Sequence, residues 1–220
     1  MEYIKSEDYK KGAESVAEAV INDLKAGKKV LWFATGGSSI PACVEIFNAI
    51  MHSGAPIGNL TVTITDERYG EIGHKDSNWQ KLFKAGLSFG LAPYISPLRG
   101  TDINNTMDWY KAYIKDAFET HDSVIACFGI GADAHIAGLL PESEGVKTED
   151  DVVSYQGPDF MRISLGLNGI RKIKKAFVFV FGESKRQAIQ SLKKGGINPI
   201  QEPMQVLHDI EEVVVYSDQI

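Results

Sequence analysis

Residues 124–141 read VIACFGIGADAHIAGLLP, and this stretch decides the fold. An apolar run ends at two glycines, and Asp133 and His135 follow before the chain becomes apolar again. Such a run predicts a buried strand of a parallel sheet, and ligands bind at the carboxyl ends of such strands. Asp133 and His135 therefore lie where an acid/base pair would act. A glycine-rich turn with a surface aspartate and a partly buried histidine explains the same residues.

The composition limits the class of protein. A chain of 220 residues suits one large α/β domain, and we expect residues 1–220 to form a single domain. The net charge of -6 argues against nucleic acid or an anionic membrane as the main partner. Cys43 and Cys127 lie in apolar segments, as expected of buried thiols in a reducing compartment. With no apparent signal peptide or membrane span, we expect a cytoplasmic protein.

Strand and helix patterns alternate along the chain. Strands are predicted at 28–35, 60–65, 123–128, 160–165, 174–181 and 212–216, and helices at 6–26, 40–51, 76–87, 102–120 and 184–194. This alternation predicts a three-layer α/β fold with a mostly parallel sheet covered by helices on both faces, Rossmann-like in arrangement. The acidic, irregular stretch 142–151 is expected to form an exposed loop.

Polar residues cluster at the predicted strand ends. The sequence GGSS at 36–39 lies between a strand and a helix, an arrangement that points backbone N–H groups and a helix dipole at an anion. It matches neither a Walker loop nor a dinucleotide-binding turn, and a simple tight turn also uses small residues. The sequence DER at 66–68 follows the next strand, Arg162 lies within a later one, and Lys185 follows the strand at 174–181.

The carboxyl ends of parallel strands share one edge of the sheet, so these residues are expected to share one cleft. The loop at 36–39, Arg162 and Lys185 would bind a phosphate through hydroxyl, amide and cationic donors. Asp133 would orient His135 as a base toward water or a sugar hydroxyl. Alternatively, the two cations are ordinary surface charges and residues 66–68 form a local ion-pair cluster.

Five motifs in order resemble those of the 6-phosphogluconolactonases. The sequence GIGADAHIAGLLP at 129–141 resembles the signature G-x-G-x-D-G-H-x-A-S-L-F-P, and GGSS at 36–39 resembles G-G-S-T. DERY at 66–69 with DSN at 76–78 resembles D-E-R-W…D-S-N, RISL at 162–165 resembles R-I-T-L, and GESK at 182–185 resembles G-x-x-K. The matches cover the chain from about residue 32 to 185 and beyond.

This resemblance implies a phosphosugar isomerase/CoA-transferase-like domain that hydrolyses 6-phospho-D-glucono-1,5-lactone to 6-phospho-D-gluconate, in the oxidative pentose phosphate pathway. The partner is then a small phosphosugar, no metal or other cofactor is needed, and the chain is a monomer or a small homo-oligomer. Catalytic roles are implied for His135, Asp133, Asp66 and Arg68. Substrate or phosphate binding is implied for Gly36, Gly37, Ser38, Ser39, Asn78, Arg162 and Lys185.

The same superfamily contains the glucosamine-6-phosphate deaminases, and two positions favour the lactonase. The corresponding motif of the deaminases is D-G-H-I-A-F-N-E-P, in which the glutamate assists ring opening. In this chain, Leu140 takes the place of that glutamate. Deaminases also favour D-E-Y where this chain has Arg68. The alternatives are deaminase or isomerase activity on a sugar phosphate, with Asp66 as base, and a non-catalytic sugar-phosphate sensor.

Three positions depart from the lactonase pattern. Ala134 replaces the glycine between aspartate and histidine, and would cost about 1 kcal/mol if the position needs a positive φ. Gly138 stands in place of serine, and Ile40 is inserted before Pro41. The phosphate and base positions stay intact, while a related sugar phosphate becomes an alternative substrate.

Overall fold

Two β-sheets organise this computed structural model, which describes residues 1–88 and 92–220. The strands are β1 (Glu2–Lys5), β2 (Val30–Ala34), β3 (Leu60–Ile64), β4 (Asp66–Arg68), β5 (Ser123–Gly129), β6 (Val152–Gln156), β7 (Met161–Leu165), β8 (Lys175–Val180) and β9 (Glu212–Ser217). The helices are α1 (Lys10–Lys25), α2 (Ile40–His52), α3 (Asn78–Lys84), α4 (Ile103–Thr120), α5 (Leu167–Arg171) and α6 (Arg186–Lys194).

The larger sheet is parallel, with six strands in the order β1-β9-β8-β5-β2-β3. From β2 the chain moves outward to β3 on one side, and it later returns to place β5 on the other side of β2. The strand order therefore reverses between β2 and β5, and a crevice opens at the carboxyl ends of strands at such a reversal. This confirms the predicted α/β fold.

The smaller sheet is antiparallel, with the order β4-β7-β6. Thr65 connects the two sheets, since its N–H donates to Ala34 O of β2 and its carbonyl accepts from Leu165 N of β7. The expectation that Arg162 lies in a strand of the parallel sheet is wrong. Its strand β7 pairs with β4 and β6 instead, because the chain leaves the parallel sheet at Thr65.

Helices cover both faces of the parallel sheet. The side chains of β2 alternate, so that Leu31 and Phe33 pack toward α4 while Trp32 packs toward α1 and α2. Burial on both faces explains the continuous apolar run at 30–34. Cys43 and Cys127 are both buried, as expected, on the α1–α2 side.

Several boundaries differ from those predicted. The segment predicted as one helix at 6–26 contains the helix α1 only from Lys10, and β1 precedes it as an edge strand beside β9. The stretch 142–151 is mostly exposed, but it includes a short 3-10 turn, Glu144–Val146, whose last two residues are buried. Among the residues that the structure describes, no helix is both long enough and apolar enough to cross a membrane.

Gly12 permits the close approach of α1 to the sheet. A Cβ atom there would lie 2.6 Å from Phe179 Cε1 and 2.9 Å from Tyr216 Cδ2, on two stacked and buried rings. We expect Gly12→Val to lower the free energy of unfolding by about 1–3 kcal/mol through overpacking. Urea denaturation measures this. The exposed Glu14→Val in the same helix should change it by less than about 1 kcal/mol, and equal losses in both variants would contradict the packing argument.

Candidate active site

A cleft of about 240 Å³ opens at the carboxyl ends of β2 and β5, at the strand-order reversal. It is lined by the end of β2, the end of β5, the 36–39 loop and residues from the smaller sheet. Of the residues predicted from the sequence, the lining includes Gly36, Gly37, Ser38, Ser39, Asp66, Arg68, Asn78, His135, Arg162 and Lys185. Asp133 is outside the lining and reaches the cleft through its contact with His135.

His135 and Asp133 form a hydrogen-bonded pair, with 2.6 Å between His135 Nδ1 and Asp133 Oδ1. Partial burial raises the pKa of Asp133, but the charge of His135 and the hydrogen bonds from it outweigh burial and lower that pKa overall. An ionised carboxylate can only accept, so the proton of the pair lies on Nδ1. In the neutral form of the ring, this tautomer makes His135 Nε2 the acceptor, which is the form that a general base needs.

The pair lies directly over Gly131. A Cβ at this position would be 2.1 Å from His135 Nδ1 and 2.2 Å from Asp133 Oδ1, so any side chain larger than hydrogen displaces the pair. Gly131 also closes the turn, because its N–H donates to His135 O and its carbonyl accepts from Ala134 N. Gly131, the first glycine after β5, is therefore required for space rather than for an unusual φ.

Ala134 adopts a φ of 68°, in the left-handed region. This is the case in which replacing the glycine of the lactonase motif by alanine was expected to cost stability. Ala137, which lines the cleft, has a φ of 50°. An L-residue in this region is strained by about 1 kcal/mol or more relative to glycine. The loop that carries His135 therefore keeps a strained backbone on both sides of the histidine.

Asp66 brings a second carboxyl group to the cleft, from β4. It is buried, and burial raises its pKa, although the charges of Arg68 and Arg162 act in the opposite direction. Its side chain accepts hydrogen bonds from Thr65 Oγ1 at 3.2 Å and from Asn78 Nδ2 at 3.1 Å. Asp66 is thus held by neutral donors within the field of two guanidinium groups.

Asn78 links Asp66 to the 36–39 loop. Its Nδ2 donates both to Asp66 Oδ2 and, at 2.9 Å, to Asp66 O, and these two acceptors fix the orientation of the amide. A Cβ on Gly36 would lie 2.4 Å from Asn78 Cγ, so the amide packs against the glycine backbone. Asn78 Oδ1 is buried and has no hydrogen-bond partner within residues 1–88 and 92–220.

Glu67 is a site residue that the sequence reasoning missed, although it lies between Asp66 and Arg68. It is fully buried and accepts from the backbone N–H groups of Arg68, Asn78 and Trp79, at 2.7, 2.6 and 3.0 Å, and from Ser77 Oγ. Burial raises its pKa, and these hydrogen bonds oppose that rise. The signal was a carboxylate beside an apolar strand, followed by a capped helix start at Ser77.

Three cations face the cleft from different elements. Arg68 comes from β4 and donates from Nη1 to Asp76 O at 2.9 Å, Arg162 comes from β7, and Lys185 directly precedes α6. Arg68 Nε and Arg162 Nε are buried and, in the described part of the chain, have no hydrogen-bond partner. Together with the hydroxyl groups of Ser38 and Ser39, these cations form a surface suited to an anionic ligand.

The described ranges contain no group of three His, Cys, Asp or Glu side chains arranged to hold a metal ion. The cleft brings together an oriented imidazole, a buried carboxyl group and several cationic and hydroxyl donors. Such a set can remove a proton from a nucleophile while binding a charged small molecule.

Comparisons with known proteins identify similar sequences and similar folds. A model of the family described as "Glucosamine-6-phosphate isomerases/6-phosphogluconolactonase" matches residues 5–216. A glucosamine-6-phosphate deaminase of Lactobacillus johnsonii is 26% identical over 238 residues, covering 100% of this chain and 95% of the relative. A 6-phosphogluconolactonase of Helicobacter pylori is 25% identical over 142 residues, 60% of each chain. The crystal structure of a 6-phosphogluconolactonase from Shewanella baltica superimposes with a TM-score of 0.82 at 16% identity, covering 99% of this chain and 97% of that one.

The two carboxyl groups of the cleft should affect stability in opposite directions as the pH changes. The pKa of Asp66 is raised above its ordinary value of 3.8, so the folded protein retains a proton that the unfolded chain has released. The free energy of unfolding of the wild type, relative to Asp66→Asn, should therefore fall as pH rises from about 4 to about 7. Urea denaturation at several pH values measures the difference.

Asp133→Asn is the matched control, because the pKa of Asp133 is lowered in the folded protein. The stability of the wild type relative to this variant should rise with pH through the titration of Asp133 and be lost as pH falls. If the stability difference changed in the same direction with pH for both variants, burial would not explain the pKa of Asp66 and pairing with His135 would not explain the pKa of Asp133.

Proposed function

Because this chain belongs to the glucosamine-6-phosphate isomerase/6-phosphogluconolactonase family, we propose that it hydrolyses 6-phospho-D-glucono-1,5-lactone to 6-phospho-D-gluconate. One observation carries the proposal: a histidine oriented through Nδ1 by an aspartate lines the same cleft as the Gly-Ser loop, Arg162 and Lys185. In the proposal, this histidine is the base for water, and the loop and the two cations are the anion-binding surface beside it. Hydrolysis of a phosphorylated lactone needs both.

His135 acts as the general base in the proposed reaction. Its Nε2 takes a proton from water as the water oxygen attacks the lactone carbonyl carbon, and Asp133 stabilises the imidazolium that forms. When the bond between the carbonyl carbon and the ring oxygen breaks, the imidazolium returns its proton to that oxygen. The products are a hydroxyl group and a carboxylic acid, which ionises at neutral pH.

Arg68 is the proposed stabiliser of the negative charge that develops on the carbonyl oxygen. Its guanidinium is held by Asp76 O and lies 5.7 Å from the centre of the Phe160 ring, so its position is set before substrate binds. When Asp66 is ionised, it balances part of the charge of Arg68 and Arg162, which pair in register on β4 and β7.

The phosphate is proposed to bind where the 36–39 loop meets α2. Ser38 and Ser39 supply hydroxyl groups, the backbone and helix start supply N–H groups, and Arg162 and Lys185 supply positive charge. This binding energy holds the lactone carbonyl near His135 and so contributes to the rate as well as to affinity.

Glucosamine-6-phosphate deamination is the second candidate, favoured by the Lactobacillus johnsonii relative, which is matched over the whole of this chain. Asp66 would then be the base that acts on a substrate carbon. The lactonase remains the better proposal because Leu140 stands where the deaminase pattern has its glutamate, and a leucine offers no carboxylate to assist ring opening.

His135→Asn should lower kcat for lactone hydrolysis by about 100-fold or more, because the general base is removed, with little change in KM. The measurement is a lactone-hydrolysis assay corrected for spontaneous ring opening. His52→Asn, at the exposed end of α2 and outside the cleft, is the control and should keep the wild-type rate.

Three outcomes would contradict parts of the proposal. Equal rates in wild type and His135→Asn would remove His135 as the base. Turnover of glucosamine 6-phosphate without turnover of the lactone would establish the second candidate instead. Tight phosphosugar binding that survives His135→Asn, with no turnover of either compound, would indicate a sensor.

Lys185→Ala should raise KM about tenfold or more, because a charge-assisted hydrogen bond to phosphate is worth about 1.5–3 kcal/mol. The neighbouring Arg186→Ala is the matched control, since Arg186 bonds Gln219 and lies outside the cleft lining. Steady-state kinetics on the lactone compare the two variants. Similar KM values in both would show that general surface charge, rather than Lys185, binds the phosphate.

A further inference from the structure

The loop 131–142, called here the histidine loop, carries His135 on a backbone under strain. Ala134, Ala137 and Glu142 have φ values of 68°, 50° and 58°, so three residues with side chains adopt a left-handed conformation within nine positions. Such strain persists only where the surrounding structure over-determines the backbone. The contacts that hold the loop from outside therefore matter for the position of His135.

Tyr155, on β6, makes the first of these contacts. Its hydroxyl group donates to Gly138 O at 2.6 Å and accepts from Leu140 N at 3.1 Å, so it spans the two residues. The ring is buried, and Gly145 packs on it so closely that a Cβ there would lie 2.7 Å from Tyr155 Cε1. The packing of the ring therefore fixes the position of the Tyr155 hydroxyl group.

Ser164, on β7, makes the second contact. Its Oγ accepts from Gly138 N at 3.0 Å and donates to Leu165 O at 2.8 Å. Gly138 is therefore held through its N–H by Ser164 and through its carbonyl by Tyr155. The backbone of Gly138 has little room to shift, because a Cβ there would lie 3.0 Å from Ser164 Cβ and 3.1 Å from Asp66 Cβ.

The short connection between Gly138 and His135 transmits this restraint. Leu139 N donates to Ile136 O at 2.9 Å, and Ile136 pairs with Ile130 at the end of β5. Gly131 N donates to His135 O, also at 2.9 Å. The histidine thus lies between a point fixed on the parallel sheet and a point fixed on the antiparallel sheet.

We infer that Tyr155 and Ser164 are positioning residues, which hold the strained histidine loop so that His135 keeps its place in the cleft. Neither residue is among those that line the cleft, so we assign to neither a contact with the substrate. The inference rests on the proposed role of His135 as the base. It assigns to the antiparallel sheet a task beyond supplying Asp66, Arg68 and Arg162.

Tyr155→Phe tests this directly, because it removes both hydrogen bonds and keeps the ring. We expect kcat for lactone hydrolysis to fall about tenfold or more, since a small misplacement of a reacting group has effects of this size, while KM stays within about twofold. The NMR resonance of the proton on His135 Nδ1, observed in the protein without substrate, should shift or broaden. A thermal melt confirms that the variant is folded.

A rescue experiment separates positioning from general structural damage. Glycine adopts a positive φ without strain, so Ala134→Gly should restore kcat and the His135 resonance in the Tyr155→Phe background. Ala132→Gly, in the same loop but outside the left-handed region, is the matched control and should restore neither. If Tyr155→Phe does not fold, Ser164→Ala takes its place, with the same expected loss and the same rescue.

Several results would overturn the inference: a wild-type kcat in Tyr155→Phe, a loss that Ala134→Gly fails to restore, or equal restoration by Ala132→Gly. Failure of the proposed function is recognised separately, because the wild type would then leave the lactone unhydrolysed. In that case the NMR resonance of the His135 Nδ1 proton tests whether Tyr155 positions the loop. An unchanged resonance in Tyr155→Phe overturns the inference, and a shifted one that Ala134→Gly restores supports it.

Discussion

The buried carboxylate of Glu67 is the interaction on which the candidate site depends. It is fully inaccessible to solvent and is held by the N–H groups of Arg68, Asn78 and Trp79 and by the Ser77 hydroxyl. A buried carboxylate deprived of these donors would cost several kcal/mol, so β4 and the start of α3 stay together. The Asn78 side chain can then bond Asp66 and pack against Gly36. One carboxylate outside the cleft thereby sets the spacing between its acidic end and its anion-binding loop.

The two sheets contribute different parts of the cleft. The parallel sheet ends in the Gly-Ser loop after β2 and the histidine loop after β5, on the two sides of the point where the strand order reverses. The antiparallel sheet brings charged side chains to the same cleft, Asp66 and Arg68 from β4 and Arg162 from β7. Thr65 joins the sheets through backbone hydrogen bonds to both. The cleft is thus built at a junction, which explains why charges from distant segments of the chain meet there.

Local patterns predicted the parallel sheet well. Continuous apolar runs indicated β2 and β5, and the helix starts predicted at 76 and 102 lie within two residues of α3 and α4, which Ser77 and Asp102 cap in the structure. The antiparallel sheet was not predictable in this way, because β4 is three polar residues long and its pairing with β7 depends on contacts about a hundred residues apart. Most candidate cleft residues could be named from motifs. Glu67 lies inside the motif at 66–69, but its role and that of Tyr155 come from hydrogen bonds to backbone groups, which only the folded structure shows.

The unpaired atoms of the cleft have a consequence for ligand binding. Asn78 Oδ1 is a buried acceptor, while Arg68 Nε and Arg162 Nε are buried donors, all without partners in the described part of the protein. Because these atoms are already buried, their desolvation is a cost of the folded protein and not a cost of ligand binding. A compound that turned the Asn78 amide or a guanidinium group toward itself would gain a hydrogen bond at an atom that has none to lose. Small rotations of these side chains are therefore the movements that ligand binding would favour.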